Sequence, residues 1–124
     1  MSLKTQDLFN VSNKVVVVTG GSRGIGEMIT SGFLANDSKV YITARKEEAL
    51  VKKAEELSQK YSCECIPVSG DISNSEGIDA LVNFLNDAEP EGIDFLINNA
   101  GAAWGANYDD FPESGWDKVM DLNL

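Results

Sequence analysis

The segment Thr19-Gly20-Gly21-Ser22-Arg23-Gly24-Ile25-Gly26 carries the residue types and spacing best suited to chemistry in this 124-residue chain. Glycines leave backbone N–H groups uncovered, and uncovered N–H groups at the start of a helix meet an anion such as a pyrophosphate. Gly20 permits a tight turn, Gly24 lets the backbone approach the phosphates, and Gly26 lets the following helix pack closely on a sheet. No Gly-Lys-Ser/Thr ends the segment, so it is not a P-loop. Gly20, Ser22, Arg23, Gly24, Ile25 and Gly26 therefore form a candidate dinucleotide-binding set. The chain contains no His, which excludes His-based triads, His-metal sites and imidazole proton shuttles. Cys63 and Cys65 stand alone, awkwardly spaced for a disulfide and too few for a metal centre, so two reduced thiols in a cytoplasmic protein are expected.

Such a loop has meaning only between a strand and a helix, and the surrounding pattern supplies both. Lys14–Thr19 is a β-branched run of buried-strand type, and Ile25, Met28, Ile29, Gly32 and Phe33 recur at helical spacing. Asn36-Asp37-Ser38 ends that helix and Val40–Thr43 reads as a second strand. Leu50, Ala54, Leu57 and Tyr61 mark a second helix, and Cys63–Val68 a third strand. Ser73-Asn74-Ser75-Glu76 has capping-box form and opens a third helix through Ile78, Leu81, Val82 and Leu85. Ile93–Asn98 reads as a fourth strand, and Ser114 as the cap of a final helix carrying Val119, Met120 and Leu122. Strict alternation of strand and helix predicts an α/β, doubly wound parallel sheet with helices on both faces.

Three further motifs join the glycine loop in order: Gly70-Asp71-Ile72, Asn98-Asn99-Ala100-Gly101, and Trp116 to Leu124 in the form W-x₆-N-L. With T-G-x-x-x-G-x-G, this series resembles the short-chain dehydrogenase/reductase family over nearly the whole chain. The resemblance implies an incomplete Rossmann-type fold, strand order 3-2-1-4, with residues 1–124 forming the NADP-binding amino-terminal half of one domain. It places Asp71 and Ile72 at the adenine ring and Asn98, Asn99, Ala100 and Gly101 along the cofactor, and makes Asn123 the Asn of the catalytic tetrad. The fourth strand would then be left as an unpaired apolar edge.

In this fold the residue ending the second strand faces the adenine-side ribose, where a carboxylate selects NAD. Ala44 stands there instead, followed by Arg45 and Lys46, with Arg23 on the same side. Guanidinium groups suit a 2′-phosphate, and cations at a helix start are unfavourable without an anion. The family's NADP-using members resemble this arrangement, so NADP(H) is the expected cofactor.

The resemblance further implies reversible hydride transfer to a carbonyl, with a Tyr donating the proton, a Lys in Y-x-x-x-K lowering its pKa, and a Ser polarising the substrate oxygen. Tyr41, Tyr61 and Tyr108 are followed at the fourth position by Arg45, Cys65 and Pro112, so no Y-x-x-x-K occurs. The chain as it stands is therefore expected to be inactive alone. Alternatives are a non-catalytic NADP-binding or interaction protein and a subunit completed by another chain. Leu8–Val11 and Gly32–Asn36 look most like the family's 3-oxoacyl thioester reductases, including the rhamnolipid-synthesis type. Ala102–Asp110 is placed to wall the nicotinamide end, with Trp104 and Tyr108 either lining it or anchoring the loop.

Composition bounds the remaining classes. The net charge is −10, with residues 1–60 at +2 and residues 61–124 at −12. That balance disfavours nucleic acid and anionic membranes as partners. The longest apolar run, Val15–Val18, is far short of a membrane span, and Met1–Lys14 lacks the apolar core of a signal peptide. A small carbonyl or alcohol substrate, and homo-oligomers of the full-length protein, are the expected partners. Metal binding is not expected.

Overall fold

A computed structural model describes residues 1–124. A short turn of helix, α1 (Thr5–Leu8), precedes β1 (Val15–Thr19), α2 (Gly24–Ala35), β2 (Lys39–Ala44), α3 (Glu47–Tyr61) and β3 (Cys65–Ser69). Then follow α4 (Ser75–Ala88), β4 (Phe95–Ile97), a 3₁₀ turn at Tyr108–Asp110, and α5 (Glu113–Asn123). The four strands form one parallel sheet in the order β3-β2-β1-β4. No helix is long and apolar enough to cross a membrane.

β1 and β2 form the buried centre because Val16, Val17, Val18, Val40 and Ile42 lose all exposure, and β-branched side chains pack well on a pleated surface. β3 lies at an edge, which tolerates Pro67 and its missing N–H. One sheet face, built from Val16, Val18, Val40, Ile42 and Cys65, meets Leu34 of α2 and Leu50, Ala54 and Leu57 of α3 in a single cluster. On the other face lie Val17 and Tyr41, and the Tyr41 ring meets Phe84 of α4 edge-on at 6.2 Å. Glu89 ties the end of α4 to β2, accepting from the Tyr41 hydroxyl at 2.7 Å and pairing with Lys39 at 2.6 Å.

Several local expectations are corrected. In α2 the buried residues are Gly26, Thr30 and Leu34, whereas Ile25 and Met28 project into solvent at 71% and 72% exposure. Gly26 and Thr30 are small because they lie against the glycine turn, where Thr30 donates to the Gly21 carbonyl at 3.1 Å, and only Ile29 and Phe33 of the expected stripe pack against the core. The cap of α4 is Asn74, whose Oδ1 accepts from the Gly77 N–H at 2.8 Å. Ser73 is drawn away by Asp71, to which it donates from both its amide and its hydroxyl. Pro112, not Ser114, precedes the first residue of α5. Cys63 lies outside β3, its thiol donating to the Ser38 carbonyl at 3.0 Å, and both cysteines are free. β4 is three residues long, prolonged by Asp94, whose carboxylate accepts from the Val15 N–H and whose own N–H donates to the Val15 carbonyl, both at 2.8 Å.

Candidate cofactor cleft

The carboxyl ends of the parallel strands open onto one cleft of about 500 Å³. It lies where chain connections from β1 and β4 diverge, the position at which doubly wound sheets bind ligands. The glycine loop forms its floor. Gly20 and Gly24 adopt φ of +63° and +58°, in the left-handed region where a Cβ is costly. The space above Gly24 is open, whereas a Cβ on Gly26 would fall on the Gly20 carbonyl oxygen. Gly26 therefore packs the helix against the turn itself more than against the sheet. Gly21 carries a constraint that spacing alone does not reveal, since a Cβ there would lie 2.6 Å from Ile42 Cγ2 and 2.9 Å from Thr30 Oγ1.

Thr19 and Asn99 lock this loop to β4. The Thr19 hydroxyl accepts from the N–H groups of Asn99 and Ala100, both at 3.0 Å. The Asn99 amide nitrogen donates to the Thr19 and Gly20 carbonyls, both at 3.1 Å. Both of its hydrogens are thus engaged, and Asn99 shapes the cleft by holding the loop. From the sequence Thr19 is visible as the first residue of T-G-x-x-x-G-x-G, but its tie to Asn99 and Ala100 is not.

Of the residues singled out from sequence, the cleft is lined by Gly20, Ser22, Arg23, Arg45, Lys46, Asp71, Ile72, Asn99, Ala100 and Gly101. Gly24, Ile25 and Gly26 form the first turn of α2 behind it, and Asn98 and Asn123 do not line it. Leu122, beside Asn123, closes the far end, and Gly70 and Thr43 complete the wall.

Arg23, Arg45 and Lys46 bring three positive charges to the cleft, and none of them joins an ion pair. Lys46 occupies the N-cap position of α3 without a capping bond, at the positive end of the helix dipole. Unpaired cations gathered around open glycine backbone are the donor set that phosphates require. Opposite them, Ser73 holds the Asp71 carboxyl below its ordinary range through its hydroxyl and its amide, and Arg45 adds a smaller pull in the same direction. Asp71 is therefore ionised and acceptor-only at neutral pH. The residues present fit a phosphorylated dinucleotide.

Beyond Gly101 the structure divides the expected nicotinamide-side wall. Trp104 lines an apolar pocket with Phe111, Trp116, Val119 and Met120 and is 41% exposed, while Tyr108 stands 96% exposed. The Asn123 side chain donates to the Ala102 carbonyl at 2.9 Å and the Val119 carbonyl at 2.7 Å.

Fold and cleft together define an α/β protein of the doubly wound, Rossmann-like class. Residues 14–124 match the family model described as short chain dehydrogenase, and the chain belongs to that family. It is 42% identical over 116 residues to the rhamnolipids biosynthesis 3-oxoacyl-[acyl-carrier-protein] reductase of Pseudomonas aeruginosa, covering 94% of this chain and 44% of that protein. It is 35% identical to an NAD-dependent glycerol dehydrogenase of Listeria innocua, with the same coverage of each. Among solved structures, the P. aeruginosa RhlG/NADP active-site complex superposes with a TM-score of 0.87 at 41% identity, covering 94% of this chain and 44% of that one. L-Sorbose reductase of Gluconobacter frateurii, complexed with NADPH and L-sorbose, gives 0.84 at 32% identity, covering 90% and 42%. The chain thus spans less than half the length of these relatives.

Proposed function

We propose that this chain is the NADP(H)-binding half of a carbonyl reductase that converts a ketone, of the 3-oxoacyl thioester class, to an alcohol. The observation that carries the cofactor assignment is the meeting of Arg23, Arg45 and Lys46 in one cleft, none of them ion-paired. A carboxylate at the end of β2 would repel a 2′-phosphate; Ala44 stands there and the two residues after it are cationic. The glycine loop would hold the pyrophosphate, Arg23, Arg45 and Lys46 the 2′-phosphate, and Asp71 and Ile72 the adenine. NADPH, when bound, supplies the hydride. This chain's own residues bind and orient it, and Asn123 stands beyond the Gly101 end of the cleft.

Relatives that bind NADP(H) support the cofactor reading, and the identity to the 3-oxoacyl reductase supports the substrate class. No Tyr-x-x-x-Lys occurs within the chain, so in this reading the proton donor lies outside these 124 residues. That whole is proposed to act in the cytoplasm as a homo-oligomer on a small carbonyl substrate, without nucleic acid or membrane. The two free thiols and the net charge of −10 support the setting.

Fluorescence titration of the chain with NADPH and with NADH tests the cofactor assignment. NADPH is expected to bind at least about tenfold more tightly, as a lost charge-assisted contact costs roughly 1.5–3 kcal/mol. Arg45→Ala is expected to remove most of that preference while leaving NADH affinity unchanged. Equal affinity for the two cofactors in the wild-type chain would refute it.

A further inference from the structure

Trp104 makes two contacts that converge on the loop beside Asn123. Its indole lies directly on Gly115, where a Cβ would stand 2.7 Å from Cδ1 and 2.8 Å from Cγ and Nε1. Lys118, one helical turn on, places Nζ 5.3 Å from the centre of the ring. Gly115 is the only residue of α5 that is buried, so the indole is the principal cover of this helix. The indole, 41% exposed, buries the rest of its surface on bare helix backbone with a cation 5.3 Å from its centre, and so anchors the loop to α5.

The loop held in this way is the one that carries Ala102. Its carbonyl accepts from Asn123 Nδ2, whose other acceptor is the Val119 carbonyl one turn back in α5. With the amide nitrogen engaged twice, Asn123 Oδ1 is left as the free acceptor. A Cβ on Gly101 would come to 3.0 Å from that oxygen, so the cleft rim and the carboxamide are packed against each other. Displacing Trp104 would release residues 102–104 and with them one of the two bonds that orient Asn123.

We propose that Trp104, seated on Gly115 beneath Lys118, is a positioning residue that sets the Asn123 carboxamide through the Ala102 carbonyl. The functional weight of this rests on the reading of Asn123 as part of the reductase site; the orientation itself does not. The resonances of the Asn123 side-chain amide in the ¹⁵N-labelled chain are the direct readout. In the wild-type chain the two protons are expected to be well dispersed and slow to exchange with solvent. Trp104→Ala and Gly115→Ala are each expected to collapse that dispersion and speed exchange at least tenfold, while Trp104→Phe restores most of the protection.

Gly115→Ala separates positioning from helix stability, because alanine favours helix over glycine. A merely structural glycine would gain from it, and the Asn123 signal would not move. An unchanged Asn123 amide in Gly115→Ala, with backbone shifts showing the helix intact, overturns the proposal. Titration with NADPH is scored separately. A wild-type chain that fails to bind it refutes the cofactor reading, while the Asn123 signal still decides the role of Trp104.

Discussion

The two faces of the sheet are built to different standards. Under α2 and α3, nine residues from five elements are buried in one continuous cluster, and Gly26 and Thr30 of α2 are buried against the glycine turn. On the opposite face α4 buries no residue, Ile78, Val82 and Phe84 are each more than 40% exposed, and Leu96 of β4 is 53% exposed. Specific polar ties stand there in place of bulk burial, chiefly the Lys39–Glu89–Tyr41 cluster. The well-packed face carries the glycine loop and the cations, so rigidity is concentrated where phosphates would be gripped. The sparsely packed side leaves the apolar edge at β4 open.

Under that contrast, substitutions of similar size have unequal effects. Leu57→Ala, in the α3 cluster, is expected to cost about 2–5 kcal/mol in urea unfolding. Val82→Ala in α4, where the residue is 46% exposed, is expected to stay within about 0.5 kcal/mol. Comparable losses at the two sites would break the comparison.

A smaller stability effect with a larger functional one is expected at Gly26. Alanine there must displace the Gly20 carbonyl, opening the turn that Asn99 and Thr19 hold closed. NADPH affinity is expected to fall at least about tenfold, equivalent to roughly 1.4 kcal/mol. Calorimetric titration checks this, and wild-type affinity in Gly26→Ala would show that the loop tolerates what its geometry forbids.

The smallest effect is expected from Glu89→Gln, and it depends on pH. Hydrogen bonds from Lys39 and Tyr41 hold the Glu89 carboxyl below its ordinary value of 4.5. Its contribution is therefore complete above that value and is lost as the pH falls through the lower folded-state value. Glu89→Gln is expected to lower the thermal midpoint at neutral pH, with the difference from wild type shrinking below about pH 4. A difference that is constant down to pH 3 would remove this cluster as the tether of α4.

What the sequence made legible follows the same division. Val15–Val18 and Val40–Thr43 announce buried parallel strands, and Leu50, Ala54 and Leu57 announce the inner stripe of α3, because apolar periodicity records burial directly. Periodicity misread α2, where close approach selects small residues and leaves Ile25 and Met28 outside. It also could not separate Ser73 from Asn74 as a cap, since that choice turned on Asp71 competing for the serine. In the cleft, the glycines and cations were visible by type and spacing. Thr19 and Gly21 were visible only as members of the motif, and for Trp104 the sequence left lining and anchoring open, because each acts through contacts between residues distant in the chain or packed against neighbours that spacing does not reveal. Tyr108, an equal candidate to Trp104 by sequence, is almost fully exposed, whereas Trp104 is 41% exposed.

The central claim is that the cleft formed by this chain binds NADP(H) through its glycine loop and its unpaired cations. Amide chemical-shift mapping during titration with NADPH tests it most directly. The account predicts perturbations concentrated at residues 20–26, 44–46, 70–72 and 99–101, with α4 silent and the loop shifts largely retained but those at 44–46 lost when NADH replaces NADPH. Perturbations centred on α4 or the exposed face of β4, or none at any excess of NADPH, would contradict it.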